Sequence, residues 1–517
     1  MTDRGGNYYD APLHDAGGLD GDLPPPSLGP THGPTTPPHE AIAAVGGRVL
    51  DPATAVAIQG VVPRSTAYVG QRLLISNAVD FAGALRVLRA VADHFGWSVD
   101  PEEEDPRTAG LKFGVRAVRL GIAANQATVP PDAWTLLQQT RAQFGVDAVR
   151  GVALEHVLTA WPFGTWHPFD LSRPSEVGLA SPMAPFSFPV LGGPQPMAYV
   201  GRVPIRAPLE TMATRRPVVA ILDTGCAGHP WLDDVVISDL MLDGVPIGYA
   251  SLADDWYGGV DPLAGHGTFI AGLVRQRCPD ADILSWRVVP GEGALVESDL
   301  IASLAQVAEL VRRFRAGEPG GHPIDVLSLS MGYYHETPQE PLFDLTLYEI
   351  LEDLARHGTL VVCAAGDDGT SRPFFPAAFA PWADDAGPIP VDSDIPPIVS
   401  VGALNPNRTD ALFSNTGPWV RAYASGTELM STCPAFEGGL RAVSRTRTFG
   451  RMREEVDPDD FRGGFGRWSG TSFAAPVLAA DLASSIQGDL ELGDDTSSAL
   501  TRAWSAIEAT TGIARRG

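Results

Sequence analysis

From about residue 215 the chain alternates short apolar runs with helical stretches, and this alternation limits the possible folds more than any other feature. PVVAIL, IDVLSLS, GTLVVCAA and PPIVSVGAL are the runs; ESDLIASLAQVAELVRRF is the longest helical pattern between them. Short strands that are apolar on both faces, each followed by a helix, imply a parallel sheet covered on both sides. The expected architecture over 215–510 is therefore α/β, a mostly parallel sheet with helices on both faces.

Upstream the texture differs. Residues 1–45 are rich in Pro, Gly, Asp and His around PPPSLGPTHGPTTPP. Such a segment buries too little apolar surface to offset its ordering entropy, so a disordered tail is expected. Residues 66–165 pattern as a small separate domain. RLLIS (Arg72–Ser76) reads as a strand, and Phe81, Leu85, Leu88, Ala92 and Phe95 share one helical face. WSVDPE and LKFGVRAVRLGI read as strands on either side of the acidic turn EEEDPRTAG. Pro130 and Pro131 open a helix carrying Trp134, Leu137 and Phe144, and VRGVALEHVL is the last strand. The order βαββαβ is the ferredoxin-like split pattern. Residues 166–214, dense in proline and without periodicity, read as an extended connector.

The formal net charge of -25 argues against nucleic acid or an anionic membrane surface as a partner. Lys112 is the only lysine; the other Lys/Arg side chains are all arginine. Cys226, Cys278, Cys363 and Cys433 form no CxxC pair and no Cys/His set with zinc spacing. Free thiols in a reducing compartment are expected, with no metal and no organic cofactor. The N-terminus lacks an apolar h-region, and no stretch approaches the roughly 20 apolar residues of a membrane span, so a cytoplasmic location is expected.

Three motifs in the α/β region can carry chemistry. Val218-Val-Ala-Ile-Leu-Asp223-Thr-Gly225 ends an apolar run in an aspartate, at the strand end where sites gather in open α/β sheets. Gly265-His266-Gly267-Thr268 puts a histidine between glycines at the start of a helix, so other backbone can approach it closely. Ser469-Gly470-Thr471-Ser472-Phe-Ala-Ala-Pro476 puts a serine at a helix start, where outward N–H groups favour a developing oxyanion. Singly, each is more often a cap, a turn residue or a structural histidine. Together they present Asp, His and Ser in the chain order of one known peptidase class.

ILDTG, GHGTFIAG and SGTSFAAP resemble the three signature blocks of the subtilisin-like (S8-type) serine peptidases. The likeness runs over about 215–490, because DVLSLSMG resembles that family's substrate-binding strand and LVVCAAGDDG its oxyanion-hole segment. It implies a serine endopeptidase working on polypeptide through an acyl-enzyme. Asp223 would orient the imidazole, His266 would act as general base and acid, and Ser472 would be the nucleophile. Substrate would pair with the edge Ser328–Gly332, so Ser330, Met331 and Gly332 are candidate substrate-binding residues, and Gly332 and Gly366 would leave room for a P1 side chain. The ferredoxin-like domain would be a propeptide-like intramolecular inhibitor or a docking module.

Two departures stand out. The family usually has Asn in the oxyanion segment where this chain has Asp367, which donates a hydrogen bond only when protonated. GLVRQRCPDADIL also runs on without the family's Asn-rich calcium loop, so that metal site is not expected. Asp367 favours an alternative reading, a catalytically weak peptidase-like protein that binds peptides or a partner; the complete Asp, His, Ser set opposes it. RNA binding through the ferredoxin-like sheet conflicts with the acidic charge and the lack of an aromatic RNP pattern.

Overall fold

The computed structural model describes residues 39–123, 129–158, 195–198, 200–249, 265–289, 295–338, 346–390, 392–437, 445–454, 460–491 and 495–515. Residues 1–38 of the expected tail and 166–194 of the expected connector lie outside these. The tail expectation extends too far at its end. His39–Ala44 is a short helix and Gly47–Val49 a strand, because Ala41 and Ile42 are apolar enough to pack against Ala67 and Val157.

The N-terminal unit runs β1 (Ala67–Ser76), α1 (Phe81–Phe95), β2 (Trp97–Pro101), β3 (Val115–Ile122), α2 (Ala133–Phe144) and β4 (Val152–Leu158). Gly96 ends α1 in the left-handed conformation. Asp132, rather than the prolines before it, caps α2 by accepting from the Thr135 N–H. The strands lie side by side as β4-β1-β3-β2, each pair antiparallel. Alternation along β1 sends Leu73 and Ile75 into this unit's own core with Leu88 and Trp134. Leu74, between them, points the other way into the main core, with Val115, Ala117 and Leu158.

The larger body holds β5 (Val218–Asp223), β6 (Val236–Ile237), α3 (His266–Arg277), β7 (Asp282–Arg287), β8 (Leu295–Val296), α4 (Glu297–Ala316), β9 (Val326–Leu329), α5 (Thr346–Arg356), β10 (Leu360–Ala364), β11 (Val399–Leu404), β12 (Ala422–Ser425), α6 (Thr471–Ile486) and α7 (Thr496–Thr511). Seven of these strands form one sheet in the order β12-β11-β10-β9-β5-β7-β6, and every neighbouring pair is parallel. VVAILD in β5 is buried throughout, as a central parallel strand must be. The chain leaves β5 toward β7 on one side and later returns to β9 on the other. The carboxyl end of β5 is thus a topological switch point, where a crevice opens.

Helix α6 is apolar on nearly all sides; only Asp481, Ser484 and Ser485 reach the surface, so it runs through the interior against the sheet. The two parts are joined edge to edge. Strand β8 belongs to the larger body yet pairs antiparallel with β4, Leu158 opposite Leu295 and Val157 opposite Val296. Among the described residues no helix is long and apolar enough to cross a membrane.

Candidate active site

Asp223 is the last residue of β5 and is fully buried. Its Oδ1 accepts from the Thr224 N–H at 2.8 Å and lies 2.8 Å from Nδ1 of His266. His266 is the first residue of α3, after Gly265 at φ 85. Gly267 explains the tight fit: a Cβ there would come 2.3 Å from the Gly225 carbonyl oxygen, so only glycine lets the Asp223 turn close on the imidazole. Trp468 stands edge-on to the ring at 5.5 Å, and Phe473 lies 5.1 Å from it. These walls keep bulk water from the Asp223–His266 pair and so strengthen it.

Ser472 is the second residue of α6, and its neighbour Phe473 packs on the His266 ring. The Ser472 carbonyl would ordinarily accept from the N–H four residues on, but that residue is Pro476, which has none. The freed carbonyl accepts instead from the Ser330 hydroxyl at 2.8 Å, while the Ser472 hydroxyl lies 3.4 Å from the Ser330 carbonyl. Pro476 thereby ties the serine turn to the end of β9.

A second tie comes from β10. Gly366 N–H donates to the Thr471 hydroxyl at 3.0 Å, and Asp367 Oδ1 accepts from the Thr471 N–H at 2.7 Å. Burial pushes the Asp367 carboxyl up to about 7; the Thr471 bonds pull against this and Asp368 adds to it. With Oδ1 engaged as an acceptor, Oδ2 is the oxygen left to carry a proton. Asn415 shapes the loop around it. Its Oδ1 accepts from the Asp368 and Thr370 N–H groups, both at 3.1 Å, and its Nδ2 donates to the Ala365 carbonyl at 2.9 Å.

Of the expected substrate-contact residues, Ser330 and Gly332 follow β9, and the Met331 side chain is buried in the core, leaving only its backbone for a ligand. The space off Gly332 and Gly366 is occupied rather than open. A Cβ at Gly332 would meet the Phe375 carbonyl at 2.2 Å and the Phe374 ring at 2.6 Å. One at Gly366 would meet Asn415 at 2.4 Å and the Phe374 ring at 3.1 Å. A backbone pairing between Tyr333 and Phe375, at 2.8 and 2.9 Å, holds Phe374 there. Sequence reading assigns no role to Phe374, Asn415 or Pro476. FFPAAF, LFSNTGPW and SGTSFAAP contain them, but nothing local says what they touch.

The model of the subtilase family matches residues 214–509, more than half of the chain. The chain belongs to the subtilase family. This subtilase is 25% identical over 283 residues to the major intracellular serine protease of Bacillus subtilis (strain 168), covering 51% of this chain and 66%, just under two thirds, of that one. It is 27% identical over 296 residues to an intracellular serine protease of Paenibacillus polymyxa, covering 54% of this chain and 70% of that one. The crystal structure of fervidolysin from Fervidobacterium pennivorans, a keratinolytic enzyme related to subtilisin, aligns with 86% of this chain and 62% of its own. The TM-score is 0.45 and the identity 17%.

Proposed function

We infer that this subtilase is a serine endopeptidase acting through Asp223, His266 and Ser472. The carrying observation is the 2.8 Å contact between His266 and the buried Asp223, with the start of the Ser472 helix packed on the same imidazole. Ser472 Oγ attacks the scissile carbonyl as His266 takes its proton. The C–N bond then breaks, His266 protonates the departing amine, and water cleaves the acyl-enzyme by the same steps in reverse. Asp223 holds the imidazole and offsets its charge. The oxyanion would take donors from the first turn of α6 and from protonated Asp367. Substrate would lie extended along Ser328–Gly332 as an added strand. The names of the relatives support a polypeptide substrate and action inside the cell.

Residues 66–165 would cover this site as a propeptide-like domain. The antiparallel pairing of β4 with β8, and Leu74, Val115 and Ala117 in the main core, support that reading. A fluorophosphonate probe tests the central assignment. It should label the wild-type chain at Ser472 and leave Ser472→Ala unlabelled; labelling of Ser472→Ala to the same extent, or hydrolysis by it at the wild-type rate, would overturn it.

A further inference from the structure

The seam between the N-terminal unit and the larger body buries a group of charges that the proposed chemistry does not use. His156 lies on β4, 1% exposed. Its Nδ1 is 2.6 Å from Oε2 of Glu297 and its Nε2 is 2.8 Å from Oε2 of Glu336. Both glutamates belong to the larger body and both are buried. The β4–β8 register, continued one residue, sets His156 opposite Glu297, the first residue of α4. Tyr333 stacks on the imidazole at 4.3 Å and donates its hydroxyl to Oε1 of Glu297 at 2.9 Å. Glu336 is anchored in turn, its backbone carbonyl accepting from the Arg64 N–H at 2.8 Å.

We propose that Glu297 and Glu336 form an anionic socket that takes a cationic side chain from an extended strand paired with Leu295–Val296, and that His156 is its built-in occupant. The inference rests on the reading that the N-terminal unit covers the larger body, and it names what holds the two together. Two buried carboxylates without a counter-charge carry a heavy desolvation cost. An imidazolium with one N–H on each removes it and makes two charge-assisted hydrogen bonds. A neutral imidazole can donate only one.

The same neighbourhood contains the donor set of a metal site, since ligand atoms of His156, His335 and Glu336 lie within 4.8 Å of one another. The hydrogen bonds favour a proton instead. Nδ1 of His335 accepts from the Thr337 N–H at 3.0 Å, and each nitrogen of His156 already faces a carboxylate.

The groups around His156 are Glu297 from α4, Glu336, His335 and Tyr333 from the segment after β9, Arg141 from α2 and Tyr68 from β1. Burial lowers the affinity of the imidazole for a proton, but Glu297 and Glu336 outweigh it and push the pKa of His156 up to about 10. Its contribution to docking is therefore complete below the ordinary histidine value of about 6.5 and is lost as pH rises through about 10. Burial would raise the Glu336 carboxyl, yet His335, His156 and Arg141 hold it well below the carboxylate range, so its contribution is lost only in strong acid. Burial lowers His335 to about 4, so its contribution is present above 6.5 and lost as pH falls through about 4.

The test is amide hydrogen exchange on the full chain, with Ser472→Ala as background to prevent self-cleavage. At pH 7, His156→Gln and Glu336→Gln should each speed exchange across 152–158 about tenfold or more and leave 218–223 unchanged. The double variant should match the larger single effect, because both remove one coupled interaction. Above pH 10.5 the background chain should exchange like His156→Gln. Should His156→Gln fail to fold, Glu297→Gln carries the same comparison. Additive effects, or parent-like protection in the single variants, would overturn the socket. One zinc per purified chain, with protection lost to a chelator, would overturn it in favour of a metal. If the socket behaves as expected while loosening the unit leaves hydrolysis by the Ser472 form unchanged, the covering role fails and the socket stands.

Discussion

In the proposed mechanism Asp367 stands where an oxyanion donor is needed. An asparagine there can accept from the Thr471 N–H through its oxygen and donate to an oxyanion through its nitrogen. Aspartate can do both only with a proton on Oδ2, and burial makes that proton available by lifting the pKa to about 7. The donor is present below that value and lost as pH rises through it. At pH 8 about one tenth of the carboxyl would remain protonated. Asp367→Asn should therefore raise kcat/KM about tenfold at pH 8 and little at pH 5.5, measured on a peptide amide. Overlapping pH profiles for parent and variant would leave Asp367 a purely structural role, holding the first turn of α6. Phe374 makes a separate prediction. Its ring lies against Gly332 and Gly366, so the P1 site should favour small side chains. Phe374→Ala should raise the ratio of kcat/KM for P1 Phe over P1 Ala by roughly 10-fold or more, the scale of a few methylenes in an apolar pocket. An unchanged ratio in a matched peptide series would show that P1 binds elsewhere.

At the scale of elements, the site depends on three strand ends and two helix starts being held in register. The Ser330 hydroxyl links the end of β9 to the Ser472 carbonyl, which Pro476, lacking an N–H, leaves without its helical partner. Ser330→Ala leaves that carbonyl without its donor and loosens the turn carrying Ser472, the proposed nucleophile. A hydrogen bond of this kind is worth about 1 kcal/mol, so kcat should fall about fivefold while KM hardly moves. Stopped-flow acylation with an active ester would read this directly, and a change confined to KM would place Ser330 in substrate binding instead. The β1 strand bears on how the unit docks. Its consecutive apolar residues Leu73, Leu74 and Ile75 exceed what a sheet with one wet face needs, because Leu74 faces the larger body.

The whole molecule joins two apolar cores across an edge-paired sheet, with Lys112–Asp353 and Arg107–Asp299 as ion pairs at the seam. Such partly exposed pairs contribute little by themselves, so docking should rest on apolar contact and on the buried His156 pairing with Glu297 and Glu336. Ala117, on the face turned to the main core, tests the covering role. Ala117→Arg should push the unit away and raise the activity of uncut chain about tenfold, and wild-type protein should clip itself within 166–214 on standing. Equal activity of Ala117→Arg and wild type, with no self-cleavage, would make the unit a docking module instead.

The sequence by itself determined the parallel sheet, the chain order of Asp223, His266 and Ser472, and the oddity at Asp367. Each of these is written within a few neighbouring residues: an apolar run, a glycine pair, a small-residue turn before a helix. Tertiary structure alone decided that Phe374 fills the space off two glycines, that Pro476 frees a carbonyl for Ser330, and that His156 meets Glu297 and Glu336 across 141 and 180 residues of chain. The reason is that these depend on what lies opposite a side chain after the sheet has closed. VALEHVL reads as the same strand whether its histidine faces water or two buried carboxylates, because local pattern records which face is apolar and carries no information about the partner on the other side.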